Sequence, residues 1–176
     1  MGHRRPRLVV VTGRPGAGKT TLARALADAL PCALLSRDAL KAGLLQTLGV
    51  AHHELGSGAN QPATQIFAAT TTQLLQAGVS LVIEAAFQHA VWQPWLLQWS
   101  SGAEIRLIIC QVADALAHQR VLARCAADPT WERMHGSVPA ALAPYQPPQS
   151  SFPTIVIPGD AAPDLEMLRR FALMER

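Results

Sequence analysis

The stretch Gly13-Arg14-Pro15-Gly16-Ala17-Gly18-Lys19-Thr20 satisfies the pattern G-x-x-x-x-G-K-[ST] at each fixed position. A loop of this kind cradles phosphate oxygens in backbone N–H groups. It needs glycine where the chain turns inward, a lysine that reaches the outer phosphates, and a hydroxyl for Mg²⁺. Gly13, Gly16 and Gly18 answer the first need, Lys19 the second and Thr20 the third, with Arg14, Pro15, Ala17 and Thr21 completing the cradle. Eight residues can match by chance, so the flanks decide. Leu8-Val9-Val10-Val11 is a β-branched apolar run that would enter the loop as a buried strand. Downstream, Leu22, Ala25, Leu26, Ala29 and Leu30 recur at helical spacing, and Pro31 ends the run. The loop then opens a helix whose N-terminal dipole faces the anion. Strand, loop and helix together predict a nucleotide site; the alternative is a glycine-rich turn behind a buried strand.

Working outward, 176 residues at 49% hydrophobic and 15% charged predict one sizeable core and one domain. The net charge of +3 comes from arginine, because only Lys19 and Lys41 are lysines. Guanidinium suits bidentate phosphate contact and favours anionic ligands. Arg4, Arg5 and Arg7 read as a solvated tail, and no basic run lies beyond them, so nucleic acid is not an expected partner. No cleavage site follows the tail and no run of about eighteen apolar residues occurs, which predicts a soluble cytoplasmic protein without a membrane span. Cys32, Cys110 and Cys125 lack paired or metal-type spacing and read as buried, reduced thiols.

Following the chain forward, Ala33-Leu34-Leu35-Ser36 predicts a second strand, and a helix with Leu40, Leu44, Leu45 and Leu48 begins at Arg37. Asp38 then stands at a strand's carboxyl end, where ligands gather in open α/β sheets. The alternative is that Asp38, or Ser36, caps the helix. Residues 49–62 read as a loop; its His52-His53-Glu54 cluster suggests a metal only weakly, since adjacent histidines share no face. A helix over 62–77 is expected to turn Ile66, Phe67, Leu74 and Leu75 inward and to end at Gly78.

The run Val79–Glu84 predicts a third strand ending in a carboxylate, the layout of the acidic position that helps hold Mg²⁺ beside a phosphate loop. Glu84 is thus a candidate metal residue with Thr20, the alternative being a structural partner for a nearby cation. Gln88 and His89 follow in the next loop as candidate substrate contacts, whereas Trp92, Trp95, Leu96 and Trp99 at helical spacing read as core. Residues 104–112 form a fourth strand. A helix from Asp114 to Ala127 sets Arg120 and Arg124 on one face, either to clamp phosphates or as a solvated stripe. Six prolines between Pro129 and Pro153 mark an irregular segment, and the region 114–153 is expected to act as a lid, with Arg133, His135 and Tyr145 as candidate contacts. Thr154–Ile157 is a fifth strand. Leu165, Leu168, Phe171 and Ala172 mark a closing helix. The alternation predicts an α/β fold, a parallel five-stranded sheet with helices on both faces and right-handed crossovers.

The segments GRPGAGKTTLA (13–23), SRDALK (36–41) and LVIEAAF (81–87), followed by Arg120 and Arg124 ahead of a proline-rich lid, resemble the phosphate-loop kinases that include the zeta toxins, chloramphenicol phosphotransferase and the kinase domain of polynucleotide kinases. The resemblance spans most of the chain, though only the phosphate loop is highly specific. Lys41 stands where that family more often has arginine, and Glu84 where it more often has aspartate. The resemblance implies transfer of the γ-phosphoryl group of ATP to a hydroxyl of a small-molecule acceptor, with Asp38 as base or orienting group. The residues agree: a carboxylate across from the phosphates can take the hydroxyl proton, while Lys19, Mg²⁺, Arg120 and Arg124 stabilise the spread charge. Asp38, Lys41, Gln88, His89 and Arg133 are the candidate acceptor contacts. Two other readings stay open, a nucleotide-dependent switch with slow hydrolysis and a polynucleotide 5′-hydroxyl kinase.

Overall fold

The computed structural model describes residues 5–30, 32–55, 58, 60–128, 130–149 and 151–174. Five strands, β1 (Arg7–Gly13), β2 (Ala33–Ser36), β3 (Leu81–Ala85), β4 (Glu104–Gln111) and β5 (Thr154–Pro158), form one sheet in the order β2-β3-β1-β4-β5. Every pairing is parallel. The helices are α1 (Lys19–Ala29), α2 (Arg37–Leu48), α3 (His52–Leu55), α4 (Asn60–Gln76), α5 (His89–Ser100), α6 (Asp114–Ala127), α7 (Trp131–His135) and α8 (Leu165–Leu173).

A parallel sheet must be covered on both faces, which is why its strands read as continuous apolar runs. Along β1, Leu8 and Val10 join a layer with Phe67 of α4 and Trp92, Leu96 and Trp99 of α5. Val9 and Val11 turn the other way, onto Leu22 and Leu26 of α1 and Leu168 and Ala172 of α8. Each large side chain so buried is worth about 1.5–3 kcal/mol. Trp92 meets Phe67 and Phe87 edge-on, at ring-centroid distances of 5.4 and 4.7 Å; Trp92 and Trp99 are core, and Trp95 packs half-buried against it.

The register sets up the site. Val11 pairs with Glu84 and Glu84 with Ser36, so β1, β2 and β3 end together, and Gly13 continues β1 to pair with Cys110. The phosphate loop, the start of α2 and Glu84 thus emerge from one edge of the sheet, at the central strand where ligands gather.

Several expectations need correction. The loop 49–62 contains a four-residue helix, α3, and α4 starts at Asn60; residues 56, 57 and 59 lie outside the described residues. Ile66 is exposed, because the buried stripe of α4 runs through Ala63, Phe67, Thr71 and Leu75, two of which carry little apolar signal. The irregular segment after α6 holds a short helix, α7. His89 is the first residue of α5 rather than part of a loop. Arg7 lies within β1 beside Glu104, 3.7 Å away, and Arg5 donates to the carbonyls of Ser100 and Ser101, so neither is a free tail; Arg4 lies outside the described residues, as does Pro31. All three cysteines are free, but only Cys110 is buried; Cys32 and Cys125 are half-buried, the latter on α6.

Candidate active site

Gly18 ends the phosphate loop in the left-handed region, at φ 83°, and no side chain caps α1. The first N–H groups of an eleven-residue helix are therefore left without intrahelical partners at the loop, which makes an anion cradle. Gly16, at φ 82°, sits so close to Ala117 of α6 that any Cβ would strike its backbone. Gly13 is constrained in the same way, since a Cβ there would lie 2.6 Å from the Cys110 carbonyl oxygen. Packing alone therefore requires these glycines, whatever the loop binds.

Beneath the cradle lies a buried polar cluster. Glu84, 1% exposed, accepts hydrogen bonds from the hydroxyls of Thr20 at 3.2 Å and Ser36 at 2.8 Å, and Lys19 Nζ is 3.8 Å from its Oε1. A buried carboxylate is tolerated only with such company. Ser36 also caps α2, its Oγ accepting from the Ala39 N–H. Capping is therefore done by Ser36 and not by Asp38, which stands in the first turn, partly exposed, 3.2 Å from Arg37 Nη1. Arg37 is fully engaged, donating also to Thr64 Oγ1 and to the carbonyl and side-chain oxygens of Asn60.

A cleft of about 500 Å³ opens above this cluster. Lys19, Thr20, Asp38, Lys41, Arg120 and Arg124 line it, together with Pro15, Gly16, Arg37, His52, Asn60 and residues of the segment after α6 such as Trp131, His135 and Ala143. The structure thus gathers the phosphate-loop lysine and hydroxyl, Asp38, Lys41 and both arginines in one cavity. Asp38 is its single lining carboxylate against five lysines and arginines. Burial lowers the Lys41 ammonium below the ordinary lysine value, Arg37 adds to this, and Asp38 opposes it.

Other candidates take different places. Arg120 donates to the carbonyl oxygens of Gly159 at 2.6 Å and Gly16 at 3.3 Å, so it braces α6 against the phosphate loop and the turn after β5. The Arg124 side chain, one turn on, lines the cleft and has no hydrogen-bond or ion-pair partner among the described residues. The Arg14 side chain leaves the cleft to pair with Asp114 and to reach the Ala143 carbonyl, and it lines a separate cavity of about 420 Å³ with Cys110, Tyr145 and Val156. Ala17 is buried within the loop, and Thr21 is exposed outside the cleft. Gln88 and His89 hold the proline-rich segment: Gln88 bonds Pro144 and Gln146, and His89 bonds Gln146 and Gln149. Arg133 is exposed on α7 and does not line the cleft. Among the described residues no group of three or more His, Cys, Asp or Glu is placed to hold a metal, His52-His53-Glu54 included.

Sequence reasoning missed two contributors, Gly159 and Thr12, and read a third, His52, differently. Gly159 packs against the phosphate loop, where a Cβ would meet the Ala17 carbonyl at 2.5 Å. Thr12 accepts from the Phe87 N–H and lies 2.5 Å from the Tyr145 hydroxyl. His52 lines the cleft rather than a metal site. Only the glycine in Pro158-Gly159-Asp160 carried any local signal.

The sequence model of a family described as an AAA domain matches residues 8–144. Among curated protein sequences no match is found. A candidate kinase from Chloroflexus aurantiacus is 27% identical, with TM-score 0.78 over 96% of this chain and 94% of that one. The Mycobacterium tuberculosis APS kinase in complex with AMPPNP and APS is 17% identical, with TM-score 0.64 over 94% of each chain. A gluconokinase from Sinorhizobium meliloti is 17% identical, with TM-score 0.57 over 97% of this chain and 91% of that one. The match over 8–144 places the chain in the AAA domain family, with the α/β fold of the phosphate-loop kinases.

Proposed function

We propose that the protein is an ATP-dependent phosphotransferase that moves the γ-phosphoryl group to a hydroxyl of a small-molecule acceptor. The observation that carries this is Asp38: it shares one cleft with Lys19 and Thr20 and is released from capping by Ser36. The acceptor hydroxyl attacks the γ-phosphorus, the bond from phosphorus to the β–γ bridging oxygen breaks, the hydroxyl proton passes to Asp38, and ADP leaves. Lys19 and Arg124 neutralise charge spread over the transferred group, and the open N–H groups of α1 hold the phosphates. Thr20 and Glu84 set a hydroxyl and a carboxylate oxygen 3.2 Å apart at the head of α1, and such hard oxygen donors fit Mg²⁺. When bound there, the ion would add charge stabilisation at the phosphates. In this reading residues 114–153 close as a lid over the cleft.

The test measures ATP consumption with and without a panel of hydroxyl compounds, on the wild-type chain and on Asp38→Asn. A phosphotransferase consumes ATP faster with its acceptor. Asp38→Asn should lower transfer by roughly two to four orders of magnitude, the range of general-base contributions, while ATP still binds. A switch would ignore the panel, and a polynucleotide kinase would respond only to 5′-hydroxyl oligonucleotides. Unchanged transfer by Asp38→Asn removes the base assignment. Loss of ATP binding would move Asp38 to the nucleotide or metal site.

A further inference from the structure

A parallel sheet needs cover on both faces, and at the carboxyl ends of β4 and β5 that cover is incomplete. Val156 of β5 is 52% exposed, and the cavity of about 420 Å³ lies against it, with further apolar walls from Ile109, Val112, Pro144 and Pro147. Among the described residues, those lining this cavity and those lining the cleft are two separate sets. Arg14 reaches the cavity from the phosphate loop and is 7% exposed. Its Nη1 pairs with Asp114, but its Nε is buried without a hydrogen-bond partner, and Nη2 reaches the Ala143 carbonyl only at 3.4 Å. Nε and Nη2 form one edge of the planar guanidinium, a fork shaped to hold an oxygen acceptor. A buried donor left unmet is costly. The charges here, by contrast, balance. Burial pushes the Cys110 thiol up to about 11 and the Tyr145 hydroxyl up to about 12, which leaves Arg14 and Asp114, already paired, as the ionised groups among the described lining residues. The wall lacks an oxygen acceptor and an apolar body, and does not lack a counter-ion.

We propose that this cavity is a second ligand site, separate from the cleft, for an uncharged ring compound whose carbonyl oxygen accepts from the Nε and Nη2 edge of Arg14 while its ring lies on Ile109, Val112 and Val156. The volume falls in the range of small-molecule sites, roughly 300–1,000 Å³. The ring removes the apolar end of the sheet from water, and the carbonyl meets the N–H that the chain leaves unsatisfied. A carboxylate of the same size is disfavoured, because it must approach Asp114, which already holds the same guanidinium. A hydrocarbon fills the cavity but leaves Nε unmet, so the site selects for the oxygen. None of this rests on the phosphotransferase reading, since no residue assigned to that chemistry lines the cavity.

The test uses NMR on the full chain with isotope-labelled arginine and valine. Arg14→Lys assigns the Arg14 Nε–H signal and Val156→Trp assigns the Val156 methyl signals. The probes are acetophenone, benzoate and ethylbenzene, which share a ring and differ in the group that meets Arg14. Each is titrated with and without Mg²⁺ and AMPPNP. Acetophenone should shift both signals saturably, with the same Kd whether or not the nucleotide is present. Ethylbenzene and benzoate should bind more weakly by roughly tenfold or more, the size of one buried hydrogen bond. Arg14→Lys, which keeps a cation but has no Nε, should weaken acetophenone to the same degree. Val156→Trp fills the cavity from an exposed strand position and should abolish the Arg14 shift. Where Arg14→Lys fails to fold, the Val156 signals and Val156→Trp decide alone. Signals that stay still with acetophenone, equal binding of ethylbenzene, tighter binding of benzoate, or a shift that survives Val156→Trp each overturn the proposal. Loss of the shifts on adding AMPPNP does the same, because it puts the probe in the nucleotide site.

Discussion

In the proposed function, Glu84 would serve both the buried polar cluster and the metal. It balances Lys19, receives the hydroxyls of Thr20 and Ser36, and is nearly inaccessible to water. Glu84→Gln keeps the shape but removes the charge and replaces one of the two acceptor oxygens with an NH2 donor, so it leaves Lys19 buried opposite a neutral group and one of the Thr20 and Ser36 hydroxyls facing a donor. We expect a folded protein whose Mg²⁺-dependent ATP affinity drops at least tenfold, read by titration with and without Mg²⁺. An unchanged Mg²⁺ dependence would reduce Glu84 to a structural partner. Lys19→Ala removes the fixed cation itself, and steady-state turnover should fall on the order of a hundredfold or more, the size of comparable electrostatic contributions. Gly16→Ala addresses the backbone: at φ 82°, with the Ala117 backbone against its Cα, a methyl group is both strained and blocked. Left-handed strain costs about 1–3 kcal/mol, so thermal unfolding should shift down and nucleotide binding should be lost together. Cys110, by contrast, should be silent. Burial pushes its thiol up to about 11, so native protein should resist alkylation at neutral pH while Cys32 and Cys125 react sooner.

The elements around the site differ in what holds them. The proline-rich segment after α7 is pinned to the sheet by Tyr145 on Thr12 and to α5 by Gln88 and His89. Burial pushes the Tyr145 hydroxyl up to about 12, against the opposing pull of its bond to Thr12. A raised folded-state value means the native state keeps its proton longer than the unfolded chain. This contribution to stability is therefore fully present below about 10 and is lost as pH rises toward 12. Tyr145→Phe should abolish that alkaline component in denaturation measured against pH, and should speed hydrogen exchange across residues 142–149. Helix α6 makes a sharper test. Arg120→Lys gives up the planar guanidinium whose Nη1 reaches both the Gly16 and Gly159 carbonyls and should lower both thermal stability and turnover, whereas Arg124→Lys, at a side chain without a partner among the described residues, should lower turnover alone. Equal effects of the two substitutions would mean that both act on the phosphates. The strands and long helices were legible because each buries a run or stripe of large apolar side chains. Helices α3 and α7, of four and five residues, have no period to read. Ile66 misled because the stripe it neighbours is made partly of alanine and threonine.

At the scale of the whole molecule, the parallel sheet made much of the site legible. Three strands end at one edge, so Lys19, Asp38 and Glu84, far apart in sequence, meet there by topology alone. What stayed hidden depends on long-range approach: Arg120 and Gly159 are 39 positions apart, and Thr12 and Tyr145 are 133 apart. The same topology makes ligand binding a property of the entire fold. The cleft is walled by the phosphate loop and by α1, α2, α3, α6 and α7, none of which holds a cavity once the sheet unfolds, so nucleotide binds the native state only. Stabilisation then follows mass action, about 2.7 kcal/mol at a hundredfold excess over Kd. For a domain of this size each kcal/mol moves the midpoint by roughly 2–4 °C, so saturating Mg²⁺ and AMPPNP should raise Tm by about 5–11 °C. The shift should grow with the logarithm of ligand concentration and shrink sharply in Lys19→Ala at the same concentration. A flat Tm across the titration, with the chain folded, would remove the nucleotide from the cleft and with it every role assigned there to Asp38, Arg124 and Glu84.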